Sequence, residues 1–576
     1  MGYTSERNNQ IVLGLLKYHG IKRIVASPGA TNVSLIASMQ NDSFFELYSA
    51  VDERSAAYMA CGMAAELGEP VVLSCTGATA SRNYLPALTE AYYRHLPILA
   101  VTSTMPVINI GHNKPQCIDR TNVINDTAKL SVHVPIVKSE SEEWVCNLRV
   151  NEAILELTHG IPGPVHINLE TEQAGTFDSQ QYSPVRPVDR LTVRDKLPQL
   201  SGKIAVFVGA HARWSKRFTE KVDEFCEKYN AVIICDHTSN YKGKYRFNAS
   251  IVSVQKMYES ENLSPDVLIH IGDISGAYIS MSPKSVWRVS PDGQLCDSYR
   301  KLRYVFEMDE EEFFGLYNSK ASAKSDVSYY ESCIKEYNKM ENSVPELPFS
   351  NMWIARNYSG KLPEKSVLHL GILNSLRSWN FFGISDSVDV FSNTGGFGID
   401  GCLSSALGAA VVSPDKTFFC ILGDLAFFYD MNSIGNRHLP DNIRVMVVNN
   451  GMGQEFKNYG HRAAQFGKQT ESFIAAAGHF GMKSPNLIRN YSTDLGFDYL
   501  AAADKDELHK AMKKFLSPEK TDRPVLLEVF TNTEDETEAM KLMGQLVVSK
   551  SESTKQMVKN VIGEKGLGTI KKFLKK

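Results

Sequence analysis

Short apolar runs rich in β-branched residues alternate with longer helical patterns along this chain. In the first third the runs are KRIVAS, PVVLSC, PILAVT and PVHINL, at residues 22–27, 70–75, 97–102 and 164–169. A helical pattern begins near Arg54, between the first two runs. Such alternation is typical of βαβ units and predicts a parallel sheet with helices on its faces.

Two more units of the same kind follow. The runs of the middle unit lie at residues 204–210, 231–236, 267–272 and 303–308. Those of the last unit lie at residues 366–371, 388–393, 417–424, 443–450 and 525–530. The predicted fold class is therefore α/β, with three doubly wound parallel-sheet domains in succession.

Two stretches without hydrophobic periodicity separate these units. Residues 174–202 carry three prolines, and residues 341–349, ENSVPELPF, are polar and carry two. Both stretches suit connections between domains. The chain beyond residue 545 is rich in lysine and is predicted to be solvated or loosely docked, with membrane contact as the alternative. The predicted domains are residues 1–185, 186–348 and 349–545, followed by a basic tail, residues 546–576.

The composition is that of an ordinary folded protein. Of the 576 residues 43% are hydrophobic and 22% are charged, which excludes a wholly disordered or fibrous chain. The net charge of -3 lacks the basic excess of nucleic-acid-binding proteins, so we expect a small-molecule partner. No apolar run approaches the ~20 residues that span a bilayer, and the first residues lack the apolar centre of a signal peptide. A cytoplasmic location is therefore expected.

The cysteines give no sign of a metal or disulfide framework. All 10 are scattered, without a Cys-x-x-Cys pair, and no His-Glu-x-x-His motif occurs. Cys75, Cys235 and Cys420 lie in or beside apolar strand-like runs and are predicted to be buried hydrophobic residues.

A glycine-rich stretch follows one predicted strand of the last domain. In SNTGGFGIDG, Gly396, Gly398 and Gly401 form a G-x-G-x-x-G pattern, and Asp424 lies 23 residues beyond the last of them. Taken alone, this pattern predicts a dinucleotide-binding turn with Asp424 on a ribose. Such matches often arise by chance, so the neighbouring motifs decide between the interpretations.

A second motif competes with this interpretation. Gly423-Asp424 ends one predicted strand, and Asn449-Asn450 ends the next one, ahead of the turn Gly451-Met452-Gly453. Mg²⁺ needs about six oxygen ligands and takes few of them from protein. The Asp424 carboxylate, the Asn450 amide oxygen and the Met452 carbonyl could supply three of them beside a diphosphate. A helix-capping aspartate and a turn asparagine are the alternative, but the two motifs together favour the metal site.

At this point the chain resembles the thiamin-diphosphate enzymes, whose metal and diphosphate motif is Gly-Asp followed by Asn-Asn at a comparable spacing. Among them it is most similar to the menaquinone-pathway succinyl-enolpyruvyl-hydroxy-cyclohexene-carboxylate synthases (MenD). The resemblance covers the whole chain and implies a pyrimidine-binding, a central and a diphosphate-binding domain, in that order. The motifs that carry it are SPG at 27–29, DERSAA at 52–57, NYLPALTEA at 83–91, QCID at 116–119, SN-x-G-x-x-GIDG at 392–401 and GDLAFFYDMN at 423–432.

The resemblance implies roles for single residues. Glu53 is the implied catalytic carboxylate, which hydrogen-bonds the pyrimidine ring of the cofactor; without the family it is an acid at a helix start. Ile399 matches the apolar residue that keeps the cofactor bent, Gln116 the active-site glutamine, and Ser375 a serine near the substrate. Core packing and loop exposure are the alternatives for these three. The implied cofactors are thiamin diphosphate and Mg²⁺ or Mn²⁺. The implied cofactor-binding residues are Ile399, Gly423, Asp424, Asn450, Met452 and Gly453, of which Asp424, Asn450 and Met452 hold the metal.

Four positions depart from the menaquinone-pathway pattern, in which arginines bind a multiply carboxylated substrate pair. The matching residues here are Thr31, Met105, Thr394 and Trp379. Each lost charged hydrogen bond is worth about 1.5–3 kcal/mol, so this loss predicts a different substrate. The substrate candidates are therefore Thr31, Met105, Ser375 and Thr394, with polar support from the loop residues His112, Lys114, Gln454 and Lys457.

The resemblance thus predicts a thiamin-diphosphate- and Mg²⁺-dependent 2-oxo acid decarboxylase or carboligase with an aldehyde, ketone or enone acceptor. The alternatives are an acetolactate-synthase-like pyruvate carboligase, the menaquinone-pathway reaction itself, and a catalytically retired cofactor-binding or interaction protein. The presence of Glu53, Asp424 and Asn450 together argues against retirement. In this family the two halves of each site come from different subunits, which implies a homodimer or homotetramer.

Overall fold

The computed structural model describes residues 2–120, 123–173, 175–321, 326–458 and 460–547. From residue 548 onwards, the predicted basic tail lies outside these residues. No helix in the described part of the chain is long and apolar enough to cross a membrane.

The strands fall into three groups along the chain. The first group is β1 (Arg23–Ala26), β2 (Glu46–Ser49), β3 (Val71–Thr76), β4 (Ile98–Thr104), β5 (Leu130–Val134) and β6 (Val165–Glu170). The second is β7 (Asp189–Leu191), β8 (Ile204–Val208), β9 (Ala231–Cys235), β10 (Arg246–Asn248), β11 (Val267–Ile271), β12 (Ser285–Val289) and β13 (Leu302–Phe306). The third is β14 (Val367–Leu370), β15 (Asp389–Phe391), β16 (Phe418–Gly423), β17 (Ile443–Asn449), β18 (Asp498–Ala502) and β19 (Val525–Phe530).

Helices connect most of these strands. Those of the first part are α1 (Arg7–Tyr18), α2 (Val33–Gln40), α3 (Glu53–Leu67), α4 (Thr79–Asn83), α5 (Leu85–Tyr93) and α6 (Glu140–Glu156). Those of the middle are α7 (Lys216–Tyr229), α8 (Ser250–Ser253), α9 (Glu310–Lys320) and α10 (Ser328–Glu341). Those of the last part are α11 (Asn351–Tyr358), α12 (Asn374–Asn380), α13 (Cys402–Val411), α14 (Asp424–Asp430), α15 (Thr470–Phe473), α16 (Leu487–Asp494), α17 (Lys505–Phe515) and α18 (Thr533–Met543).

The chain divides into two compact units, and the first comprises Met1–Lys196 and Asp292–Glu307. Its main sheet has the order β2-β1-β3-β4-β6-β5, and its strand pairs are parallel. Alternate residues of β3 and β4 pack on opposite faces: Val72 and Leu99 join the core with α1 and α6, while Leu73 and Ala100 join the core with α3 and α5. Burial on both faces explains why these strands have apolar residues at nearly every position.

The second unit comprises Leu197–Pro291 and Met308–Lys576. It contains β8 to β12 in the parallel order β10-β9-β8-β11-β12, and a second sheet in the order β15-β14-β16-β17-β19-β18, also parallel. The core of this second sheet includes Leu403 from α13, Leu422 from β16 and Val447 from β17. The prediction of three parallel-sheet α/β domains is confirmed.

One predicted connection is more regular than expected. Within residues 174–202, Asp189–Leu191 form β7, which pairs in parallel with β13 in the first unit. A three-residue strand with two charged side chains produces no apolar run, so the hydrophobic pattern could not predict it. The domain boundaries stay predictions. The burial predicted for Cys75, Cys235 and Cys420 is confirmed, and none of the cysteines, all of them described, forms a disulfide.

Candidate active site

The cofactor residues predicted from the sequence lie at the carboxyl ends of four neighbouring strands. In the last sheet the strand order reverses between β14 and β16, which makes their ends a topological switch point. Ligands of open α/β sheets bind in the crevice at such a point. The loops there are 371–375 after β14, 392–401 after β15, 423–424 after β16 and 449–453 after β17.

Asp424 carries a buried carboxylate at this edge of the sheet. It is the first residue of α14, directly after β16, and its side chain is 4% exposed. Its Oδ2 accepts a hydrogen bond from the Gly451 amide at 3.0 Å, and it forms no ion pair with any described residue. Burial raises the pKa of Asp424 to about 7. A buried carboxylate without a protein cation is stabilised when a metal ion supplies the positive charge.

The two adjacent asparagines have different surroundings. The Asn449 amide donates to Glu528 Oε1 at 2.7 Å, and its oxygen accepts from the Gly451 amide, so its side chain holds strands β17 and β19 together. Asn450 Oδ1 accepts only from Met452 within its own turn, at 3.2 Å. The Asn450 amide oxygen therefore has a lone pair to spare, while the Asn449 side chain is used by the fold.

These groups fit a hard divalent cation. The described residues contain no cluster of three or more His, Cys, Asp or Glu side chains that could hold a metal. The oxygen donors at the switch point are instead one carboxylate, one amide and the backbone of the turn, which is the donor set of an ion that keeps water and phosphate ligands. Gly451 has φ +79, in the left-handed region that glycine adopts without strain. That conformation turns its amide toward Asp424.

The glycine-rich loop after β15 places two of the predicted residues. Ile399 is partly buried and packs against the core of the last sheet. A Cβ at Gly398 would lie 2.3 Å from Asp400 Oδ1, so this position requires glycine. Thr394, a substrate candidate, is 6% exposed, which leaves little of its side chain free.

Glu53 begins α3 in the first unit. Asp52 caps the helix by accepting the Ser55 amide at 2.7 Å, so Glu53 is placed at the first helical position. The Asn83 amide donates to Glu53 Oε2 at 3.4 Å, and the carboxylate is otherwise partly exposed. Its fixed helical position and open surroundings leave it free to bind a ligand.

The other candidates of the first unit differ in accessibility. Thr31 is 3% exposed, and its hydroxyl donates to the Ser103 carbonyl at 2.9 Å and lies 2.5 Å from Thr76 Oγ1. Its side chain thereby joins the loops after β1, β3 and β4 and is not presented to a ligand. Met105, beyond the end of β4, is half-buried, and Gln116 is exposed with φ +60.

The serine and tryptophan of α12 are both committed to the fold. Ser375 Oγ accepts from the Asn351 amide at 3.0 Å, and the Trp379 indole donates to the Asn351 oxygen at 3.2 Å. Ser375 and Trp379 are 2% and 1% exposed. The position at which the family carries an arginine is thus occupied by a core side chain, which cannot be exchanged for a charged one without repacking.

The polar loop residues proposed as replacements are partly used elsewhere. Gln454 is buried and donates to Asn458 and Thr537, and Lys457 pairs with Glu471 at 3.1 Å. His112 and Lys114 are exposed.

Two arginines were missed by the sequence analysis. Arg377, on α12, forms a two-pronged ion pair with Glu455 at 2.5 and 2.9 Å. Arg120 is 5% exposed; its Nη2 donates to Asn168 at 2.7 Å, while its Nη1 has no hydrogen-bond partner. Each arginine stands beside a motif, in LNSLR and QCIDR, but only the folded chain shows whether its charge is neutralised.

Comparison with known proteins agrees with this geometry. Residues 7–123 match the family model of the thiamine pyrophosphate enzyme N-terminal TPP binding domain, and residues 375–529 match that of the C-terminal TPP binding domain. The fold and the site therefore define a thiamin-diphosphate enzyme, whose cofactor is bound with a divalent metal. The glycine-rich loop belongs to this site rather than to a dinucleotide site.

Full-length relatives narrow the class. A 2-succinyl-5-enolpyruvyl-6-hydroxy-3-cyclohexene-1-carboxylate synthase of Phocaeicola vulgatus is 32% identical over 565 residues, covering 94% of this chain and 98% of the relative. The synthases of the same name from Bacteroides fragilis and Flavobacterium psychrophilum are 30% and 28% identical over 572 and 549 residues, covering 94% and 91% of this chain and 98% and 96% of the relatives. The chain belongs to the family of these carbon–carbon bond-forming synthases.

Proposed function

We propose that this enzyme uses thiamin diphosphate and Mg²⁺ to decarboxylate a 2-oxo acid and to join the remaining acyl group to an aldehyde, ketone or enone. We further propose that its substrates differ from those of the menaquinone-pathway relatives. The observation that carries this proposal is the buried Trp379, with Thr31 and Thr394, at positions where a substrate-binding arginine is expected. Each is too buried to be a simple substitute for an exposed cation.

The residue roles follow from the geometry and the resemblance together. Asp424, the Asn450 amide oxygen and the Met452 carbonyl hold Mg²⁺, which meets the diphosphate charge. Ile399 supports the cofactor from the core side, and Glu53 holds a proton at the pyrimidine ring. When bound, thiamin diphosphate supplies the carbon nucleophile and the electron sink for decarboxylation.

Gln116 completes this arrangement as a hydrogen-bonding group for the reacting oxygen atoms. Its exposure and its positive φ both support this role, because a strained, exposed polar residue is better explained by a ligand than by packing. The cofactor itself is bound by Gly423 and Gly453, whose missing side chains let the diphosphate approach the backbone.

A second candidate is the menaquinone-pathway reaction itself. The observation in its favour is 32% identity over 98% of a relative of that name. That relative's named product contains a succinyl group, whose donor by decarboxylation is a five-carbon 2-oxo dicarboxylic acid. The two candidates therefore differ in the number of carboxylates on the donor.

The direct test of catalysis is CO₂ release by the Glu53→Gln variant. The variant keeps the size and hydrogen-bonding reach of Glu53 but cannot hold the ring proton, so we expect release to fall by about 100-fold or more. Cofactor binding, measured by calorimetry, should stay within about threefold of wild type. The matched control is Glu66→Gln, an exposed glutamate on the same helix, which should release CO₂ at the wild-type rate. Unchanged release by Glu53→Gln would refute the assigned role.

The proposed assembly is a homodimer or homotetramer. Beyond Glu53, α3 exposes the apolar side chains Tyr58, Met59 and Leu67, which are 47%, 39% and 43% exposed. Such a cluster beside a site residue supports burial against a second copy of the chain. We infer that Glu53 of one copy and the metal ligands of another form each site.

A further inference from the structure

A cavity of about 420 Å³ in the second unit has no role in the site as described so far. Leu373 and Phe397 line it, and they stand two residues from Ser375 and Ile399 respectively. Both have positive φ, +71 and +54, which bulky residues adopt only where their surroundings impose it. The cavity therefore adjoins the loops that carry the cofactor and substrate candidates.

The walls of the cavity are mainly apolar. Val254, Leu373, Phe381 and Phe397 supply them, together with the small side chain of Ala277. Its volume falls in the range of small-molecule sites and accommodates a six-membered ring with a short substituent. An apolar wall of this extent favours a ligand that brings an apolar surface.

The cavity offers no free positive charge. Among the described residues that line it, Arg377 is the one charged group, and both prongs of its guanidinium are bound by the Glu455 carboxylate. A ligand carboxylate would have to displace Glu455 or remain unpaired in apolar surroundings, and both outcomes disfavour it.

Two polar atoms of the lining residues are buried without a partner. Asn380 is 1% exposed; its oxygen accepts from the His237 amide at 3.2 Å, while its Nδ2 has no hydrogen-bond partner. Ser250 is 6% exposed, and its hydroxyl also has none. Buried polar groups are rarely left unpaired in folded proteins, so these two await a ligand oxygen.

We propose that this cavity binds the acceptor, and that the acceptor is an uncharged aldehyde or ketone with an apolar ring. An oxygen of the acceptor takes hydrogen bonds from Asn380 and Ser250. This inference rests on the proposed function. In the reaction the donor loses CO₂, a bond forms between its acyl carbon and the acceptor's carbonyl carbon, and the carbonyl oxygen takes up the proton. The product is a hydroxy ketone, with no net oxidation.

The first test compares acceptors with the holoenzyme and whichever 2-oxo acid it decarboxylates. We expect kcat/KM for benzaldehyde to exceed that for the carboxylate of 4-carboxybenzaldehyde by about tenfold or more. Equal or better use of the charged acceptor would overturn the proposal.

Variants then locate the acceptor. Ala277→Leu and Val254→Trp reduce the cavity from two walls and should raise the KM for benzaldehyde by about tenfold, while CO₂ release without acceptor stays within about twofold. Ser250→Ala removes a hydroxyl that has no partner in the protein, so it should fold normally and raise that KM by about threefold. Ala212→Leu, an exposed site outside the cavity, is the control. An unchanged KM in both bulky variants would refute the location.

A binding measurement separates this inference from the proposed function. Acetophenone, an unreactive ring ketone, should give a saturation-transfer NMR signal with the wild-type holoenzyme that weakens at least about threefold in Ala277→Leu and Val254→Trp. If no donor releases CO₂ but this dependence is found, the proposed function fails and the cavity remains a binding site. If acetophenone binds equally to all three proteins, the cavity inference fails whatever the enzyme decarboxylates.

Discussion

At the scale of single residues, Asp424 shows how a binding site costs stability. Its carboxylate is 4% exposed, and its side chain accepts the Gly451 amide without a neighbouring cation. A buried charge of this kind opposes folding until a metal ion neutralises it. The fold keeps the charge although a neutral side chain of the same shape would fit, and this argues for a function at that atom.

Asp424→Asn separates the two effects. The amide keeps an oxygen for the Gly451 hydrogen bond and removes the charge, so we expect the metal-free variant to be more stable at pH 8 by about 2 kcal/mol. The same variant should bind thiamin diphosphate with Mg²⁺ about 100-fold more weakly. Chemical denaturation and calorimetry measure the two quantities, with the exposed Asp415→Asn as control. A variant that lost stability, or bound as wild type does, would contradict the assigned role.

Residues of one type cannot be told apart by the sequence alone. Asn449 and Asn450 are adjacent and chemically identical, but only the fold brings Glu528 to the first of them. Trp379 and Thr31 likewise are visible in the sequence as missing arginines, whereas their burial is not. Charge pairing over long separations, as between Arg377 and Glu455, arises from tertiary packing and leaves no local pattern.

At the scale of elements, the sequence predicted what hydrophobic periodicity encodes. Strands β14, β16, β17 and β19 are fully or almost fully buried and appear as continuous apolar runs, so their ends and the loops after them could be located. The short strand β7 is half exposed and charged, and so could not. The residues of the site were therefore predictable where they follow a long buried strand.

Strand β6 makes a testable contribution to the pH dependence of stability. His166 lies in it with every strand residue buried, and its ring nitrogens bond Thr102 Oγ1 on β4 and Ser131 Oγ on β5 at 2.7 and 2.8 Å. Burial, reinforced by the nearby charges of Arg120 and Arg82, lowers its pKa to about 3.

Because the unfolded chain takes up a proton near pH 6.5 and the folded chain does not, the free energy of unfolding should fall as the pH drops below about 6.5. The slope from this residue is up to about 1.4 kcal/mol per pH unit. Urea denaturation between pH 7.5 and 5 should show a smaller slope for His166→Gln. The exposed His112→Gln should keep the wild-type slope. Other buried histidines add to the total, so the slope should be reduced but not abolished.

At the scale of the whole molecule, the inferred sharing of each site between copies predicts complementation. Glu53→Gln and Asp424→Ala should each be inactive alone, since each removes one half of every site. After mixing and exchange of subunits, half of the dimers combine the two variants, and one of their two sites has both native residues, so activity should return to about one quarter of wild type. Activity that stays absent after verified exchange would mean that both residues act within one chain.

The most direct measurement is the donor preference of the enzyme. The holoenzyme with thiamin diphosphate and Mg²⁺ would be given pyruvate, longer monocarboxylic 2-oxo acids and 2-oxoglutarate in turn, and CO₂ release would be followed. Since the side chains at the former arginine positions supply no second cation, we expect kcat/KM for the best monocarboxylic donor to exceed that for 2-oxoglutarate by about tenfold or more. Preference for 2-oxoglutarate would contradict the account and identify the menaquinone-pathway reaction.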